Sequence, residues 1–178
     1  MFNDFDNFKI TNTVVLNHEY LDKNLFTHLK NTVEDQNIGK CFEKYGYIIE
    51  IYNLEIISAE ITMANCSNRF EVKYEIKTIF PKIGKKFESV SIINTIQQNN
   101  FCGALLNVFE IKKKNDEIVP IQIFLTNGIK KENSLIFENC KCSITCVSFP
   151  SKCLLTDIVI DYLVYANGLF RITGKHIH

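Results

Sequence analysis

Phe70-Glu71-Val72-Lys73-Tyr74-Glu75-Ile76-Lys77-Thr78 alternates residues of one face with charged residues of the other at every step. Successive side chains of a β-strand point to opposite faces, so the stretch reads as a strand with Phe70, Val72, Tyr74 and Ile76 packed and Glu71, Lys73, Glu75 and Lys77 in water. Toward the N-terminus, Tyr45 to Tyr52 and Glu55 to Thr62 are rich in Ile and Tyr and read as two further strands. Before them, Leu21, Leu25, Leu29 and Val33 recur every four residues, with Phe26 beside the stripe, which predicts a helix capped by Asn17 and ending between Asp35 and Gly39. Phe8 to Leu16 reads as an opening strand.

Past Phe80-Pro81-Lys82-Ile83-Gly84 the pattern changes to strands alone: Phe87 to Ile96, Phe101 to Ile111, Ile118 to Leu125, Leu135 to Phe149, Leu154 to Leu163 and Leu169 to Thr173. Five or six strands in under about 100 residues suit a small barrel, which places a domain boundary near Pro81. The 178 residues, 46% hydrophobic and 22% charged, are enough for one medium or two small cores and exclude a disordered or collagenous chain. The longest apolar stretches, Tyr45 to Ile51 and Ile118 to Leu125, are short and interrupted, so no membrane span is expected. Met1 to Ile10 carries acidic residues and lacks the basic start of a secretory signal, which points to an intracellular protein.

Charge is unevenly divided. Residues 1–80 hold 8 basic and 12 acidic side chains, and residues 81–178 hold 12 and 8, so a net charge of zero hides a polarised molecule. A basic small barrel suits single-stranded RNA, with lysines tracking phosphates and exposed aromatics stacking on bases. The candidate RNA contacts are Lys82, Lys85, Lys86, Lys112, Lys113 and Lys114, with Phe101 and Phe109 as stacking surfaces. The plainer alternative is that the lysines are solvated loop residues and the rings face a core. Ile, Asn and Lys make up about a third of the chain and only two basic residues are Arg, a bias typical of an A+T-rich genome that weakens any argument from a single Lys or Asn.

The seven cysteines are an odd, scattered set, which fits a reducing compartment better than a disulfide framework. Cys140, Cys142 and Cys146 share one parity and would line one face of a strand, so packed free thiols are the reading and a zinc site is the alternative. No metal and no cofactor are expected. A glycine-rich phosphate loop, a paired-histidine metal motif and a Gly-x-Ser-x-Gly elbow are all lacking, and no cysteine has an evident histidine base, so a non-catalytic protein is expected.

The order of these segments, together with Val15-Leu16-Asn17-His18-Glu19-Tyr20-Leu21, Gly39-Lys40-Cys41, Lys44-Tyr45-Gly46-Tyr47-Ile48-Ile49-Glu50-Ile51, Val72-Lys73-Tyr74, Phe80-Pro81-Lys82-Ile83-Gly84 and Asp157-Ile158-Val159-Ile160-Asp161-Tyr162-Leu163, resembles the larger stalk subunit of multisubunit RNA polymerases. That family comprises the seventh subunit of eukaryotic polymerase II and its archaeal counterpart. The resemblance spans nearly the whole chain. It departs from the family at Asn99-Asn100-Phe101-Cys102-Gly103, where a glycine-rich segment is reduced, and at Met63 to Arg69, which holds no glycine.

The resemblance implies an α+β, RNP-like N-terminal domain over residues 1–80, followed by an all-β, OB-type barrel over residues 81–178. It also implies a non-catalytic subunit of a DNA-dependent RNA polymerase that docks on the core subunits near the clamp and contacts nascent single-stranded RNA. A smaller helical stalk partner is a second expected neighbour. Docking is expected from turns around Asn53 and from Met63, Asn65, Asn68 and Arg69, because the strand after them commits one face to the core. The composition agrees with a divergent viral member working in the cytoplasm or virion; a cellular eukaryotic member would be nuclear. A free-standing OB-type RNA-binding protein of translation or RNA turnover is the rival reading.

Overall fold

The structure, a computed structural model, describes residues 5–62, 67–87, 90–98, 101–126, 129–131, 134–136, 144–145, 154–155 and 158–176. It divides into two units, one of residues 5–80 with 112–117 and one built from 81–111 and 118–178.

In the N-terminal unit, β1 (Asp6–Asn17) leads through a short 3-10 turn to α1 (Leu25–Asn37), then β2 (Cys41–Phe42), β3 (Gly46–Thr62) and β4 (Ser67–Ile79). The four strands form one antiparallel sheet in the order β1-β4-β3-β2. The alternating stretch is the central strand, β4. Phe70, Val72, Tyr74 and Ile76 are buried together with Leu29 and Val33 of α1, and Glu71 and Lys73 are exposed. Each such fully buried side chain contributes on the order of 1.5–3 kcal/mol.

The helix begins later than the leucine spacing predicts. Asn17 makes no side-chain cap, and the Asp22 carboxylate accepts the Asn24 N–H at 2.7 Å, so the chain turns at Asp22 and α1 starts at Leu25. Leu21 stays half-buried against the core from outside the helix. The two strands read at Tyr45 to Tyr52 and Glu55 to Thr62 are one long strand, β3. Its register slips between Tyr52 and Glu55, where Asn53 adopts a positive φ of 52°. A bulge takes up what the sequence shows as a break.

The second unit carries β5 (Lys86–Phe87), β6 (Val90–Gln98), β7 (Phe101–Lys112), β8 (Ile118–Leu125), β9 (Ile129–Lys131), β10 (Ser134–Ile136), β11 (Ile144–Thr145), β12 (Leu154–Leu155), β13 (Ile158–Ala166) and β14 (Leu169–His176). Seven of these form a sheet in the order β12-β6-β7-β8-β14-β13-β5, and β11-β10-β9 form a separate small one. Ala104, Leu106, Ile121, Ile123, Leu125, Ile158, Ile160 and Ile172 are buried. The sheet is joined in its middle by a short parallel contact, Thr173 with Phe124 and Gly174 with Leu125. Gly174 is needed there, since a Cβ would lie 2.9 Å from Ile123 Cγ2 and 3.0 Å from the Val159 carbonyl oxygen.

These observations correct the expected fold class of an RNP-like α+β domain followed by an OB-type barrel. The described chain is mostly strand with a single α-helix, and the larger sheet curls into half a barrel. In the first unit, 13 helical residues span about 20 Å whereas the 17 residues of β3 span about 55 Å, so one helix cannot supply a layer over the sheet. In the second, the segment read as one strand from Leu135 to Phe149 yields β10 and β11, which pair with each other, β10 also pairing with β9, rather than with an edge of the large sheet. The edges are left to the two-residue strands β12 and β5.

Candidate functional site

The shortfall in helix length exposes the far half of β3. Every residue from Glu55 to Ile61 is exposed, among them Ile56, Ile57 and Ile61 at 40%, 53% and 57%. Val15 of β1 is also exposed. Among the described residues β2 pairs with β3 only at Tyr47 and Gly46, so from Glu50 onward the outer edge of β3 has no strand beside it. Unpaired backbone groups flanked by branched apolar side chains are a template for another chain.

The expected docking residues fall on and around this hairpin with different roles. Asn53 is exposed in the β3 bulge rather than in a turn. Arg69 is exposed on β4, opposite Glu60 on one side and Val15 on the other. Asn68 is buried, and its side-chain amide donates to the Leu16 carbonyl at 3.4 Å, which ties β4 to β1. Met63 and Asn65 lie outside the described residues, as do Cys140, Cys142, Cys146 and Cys153. Cys41 is buried.

The expected RNA contacts fall in both units. Lys112, Lys113 and Lys114 sit at the turn between β7 and β8, a segment that groups with the N-terminal unit. The turn is closed by Asp116 at a φ of 61°, by the Glu117 N–H to the Asn115 side chain at 3.2 Å and by the Lys113 N–H to the Glu117 carbonyl at 2.9 Å. Lys112 pairs with Asp116 at 2.8 Å and Lys113 with Glu117 at 3.0 Å. Lys114 pairs with the buried Glu34 of α1 and donates to the Asn31 side chain at 2.7 Å. The hydrogen bonds from Lys113 and then Asn115 hold the Glu117 carboxyl below the usual carboxylate range. The lysine run is thus matched by carboxylates and borders a polar cleft of about 710 Å³ beside α1 that offers both signs of charge.

Lys82 is exposed, Lys85 is half-buried and Lys86 is exposed on β5. Their loop is held to β13 by the Gly84 N–H to the Ile160 carbonyl at 2.8 Å and the Ile160 N–H to the Lys85 carbonyl at 3.0 Å. Phe109 is half-buried in β7, and Phe101 opens that strand. The pattern missed Tyr162 and Arg171, both exposed on the β13–β14 hairpin, because a straight alternation from Ile158 and Ile160 would turn Tyr162 inward.

His28 and Asp22 lie 3.2 Å apart beside the Tyr20 ring, and the Thr32 hydroxyl near them donates to the His28 backbone carbonyl at 2.9 Å. Among the described residues no three His, Cys, Asp or Glu side chains gather to hold a metal, and no helix is long and apolar enough to cross a membrane. No protein-family model matches the chain, and no curated protein matches it.

Proposed function

We propose that this chain is a non-catalytic stalk subunit of a multisubunit DNA-dependent RNA polymerase, docking on the core enzyme through its N-terminal unit and offering residues 81–178 to nascent RNA. The observation that carries the docking half is the outer edge of β3 from Glu50 onward, which has no strand beside it among the described residues, with Ile56, Ile57 and Ile61 exposed. A strand edge of this kind costs a free-standing protein solubility, and a docked subunit removes that cost by covering it. The sequence resemblance to the stalk family supplies the identity of the partner, and a smaller helical subunit is a second candidate neighbour.

The test is co-purification of the tagged full chain from cells that contain its polymerase. The chain elutes with the two largest polymerase subunits, and a variant carrying Ile57→Lys with Ile61→Lys, both at exposed positions, loses that association without a change in Tm. A wild-type chain that elutes alone overturns the reading and favours a free-standing RNA-binding protein.

A further inference from the structure

The register of β13 contains one irregularity. Ile160 pairs with Gly174 but Tyr162 pairs with Thr173, so Asp161 is the extra residue of a bulge and the inward and outward faces exchange beyond it. Ile158 and Ile160 point into the core before the bulge; after it, Phe170 and Ile172 are buried opposite Tyr165 and Leu163. Tyr162 is thereby turned outward and is 58% exposed, with Arg171 exposed on the same face of β14 and Leu169, 53% exposed, at its end. Lys86 joins this face from β5, because it pairs with Val159 while its neighbour Phe87 pairs with Ile158 and is buried.

We propose that this outward face of β5, β13 and β14 is a platform for single-stranded nucleic acid, on which Tyr162 stacks against a base and Arg171 and Lys86 take the flanking phosphates. The ligand's identity as RNA rests on the polymerase reading above; the stacking chemistry does not. An exposed tyrosine gives every base a π-face at little entropic cost, and cations beside it track the backbone without reading sequence. Arg171 pairs with Val164, diagonal to Tyr162 at about 7–8 Å, and Lys86 lies about 10 Å along β13 in the other direction, so the cations sit on either side of the ring. That spread matches a few nucleotides of extended strand.

Charge favours a polyanion over a protein partner. The described side chains of this face include two cations, Lys86 and Arg171, against one carboxylate, Asp161, which follows the inward Ile160 and so shares the outward side with Tyr162. Asp161 is half-buried at the bulge, with its Oδ1 atom out of solvent. The Lys112 to Lys114 run offers a polyanion less, since each of its ammonium groups already has a carboxylate partner.

The experiment uses the purified full chain with short fluorescein-labelled oligo(U) and oligo(dT), read by anisotropy, and with 5-iodouridine-substituted oligo(U) for photocrosslinking. Tyr162→Ser weakens oligo(U) binding by about 5- to 100-fold, Tyr162→Phe retains it, and Arg171→Gln lowers the log–log salt slope by about 0.7. The crosslink on the wild-type chain maps to Tyr162, an outcome independent of whether any variant folds. Oligo(dT) bound equally well keeps the platform and makes it indifferent to the sugar; preference for oligo(U) makes it an RNA site. Unchanged binding by Tyr162→Ser, or a crosslink that maps elsewhere, overturns the proposal. So does a Tyr162→Ser chain that loses polymerase association while still binding oligo(U), because the face is then a protein contact. Tyr162-dependent binding by a chain that never elutes with polymerase leaves the platform standing and removes the stalk reading.

Discussion

Gly46 packs directly against the backbone of Ile79, the last residue of β4: a Cβ on Gly46 would collide with the Ile79 carbonyl oxygen and come within 2.9 Å of Phe80 Cα. Gly46 also has a φ of +79°. Its place between Tyr45 and Tyr47 is therefore set twice, by backbone conformation and by space, where the opening of β3 meets the end of β4.

Gly46→Ala is expected to destabilise the N-terminal unit by at least about 2 kcal/mol, since the left-handed conformation alone costs about 1–2 kcal/mol and the collision adds to it. Gly84→Ala is the control, because Gly84 has a φ of +84° with nothing within 4 Å of its would-be Cβ. It should lose only the conformational part. Urea unfolding of both variants checks this, and equal losses would show that the Ile79 contact carries nothing.

Lys114→Met should cost about 1 kcal/mol. Glu34 is almost buried and would keep Lys30 at 3.8 Å, but Lys114 is half-exposed, so its pairing is partly screened. Glu34→Gln combined with Lys114→Met should cost less than the two changes summed, and strict additivity in the double-mutant cycle would mean that the pair does not couple.

Glu117 provides a pH test. Its folded-state carboxyl titrates below the ordinary range because Lys113 and Asn115 hydrogen-bond to it, so whatever stability the turn draws from it is complete above the ordinary carboxylate pKa and is lost as pH falls through the lower, folded-state value. NMR titration should show a depressed Glu117 midpoint that rises toward normal in Lys113→Met. An identical midpoint in the two chains would count against the Lys113 hydrogen bond.

What could be read from the sequence followed the straightness of the strands. β4 was legible because nothing interrupts its alternation, and β8 because Ile118 to Leu125 is rich in Ile and other β-forming residues despite Pro120 and Gln122. The bulges at Asn53 and Asp161 were not legible, since a one-residue slip leaves composition unchanged while reversing every side chain beyond it. That slip hid the continuity of β3 and the outward turn of Tyr162. The partners of Lys112 and Lys113 stand four residues downstream and were open to view, whereas Glu34 lies 80 positions before Lys114 and becomes its partner only in three dimensions. The fold class failed on lengths: the leucine stripe announces a helix but not that β3 outruns it.

The bare edge of β3 yields the last prediction, which separates a covered strand from a merely exposed one. In an antiparallel pair about half of the amides of β3 point toward β4 and half away from it, and among the described residues no strand lies beside the outward amides between Glu50 and Ile61. Hydrogen exchange on the isolated chain should show those amides exchanging fast while the central amides of β4, paired on both sides, stay protected. In the polymerase-bound chain the outward amides of Glu55 to Ile61 should become protected, because a partner strand adding to the edge would bond to those groups. Protection equal in the free and bound chains would mean that the docking surface is not this edge. Protection appearing in the free chain as its concentration is raised would mean that β3 pairs with a second copy of itself, and Ile57→Lys should then abolish it.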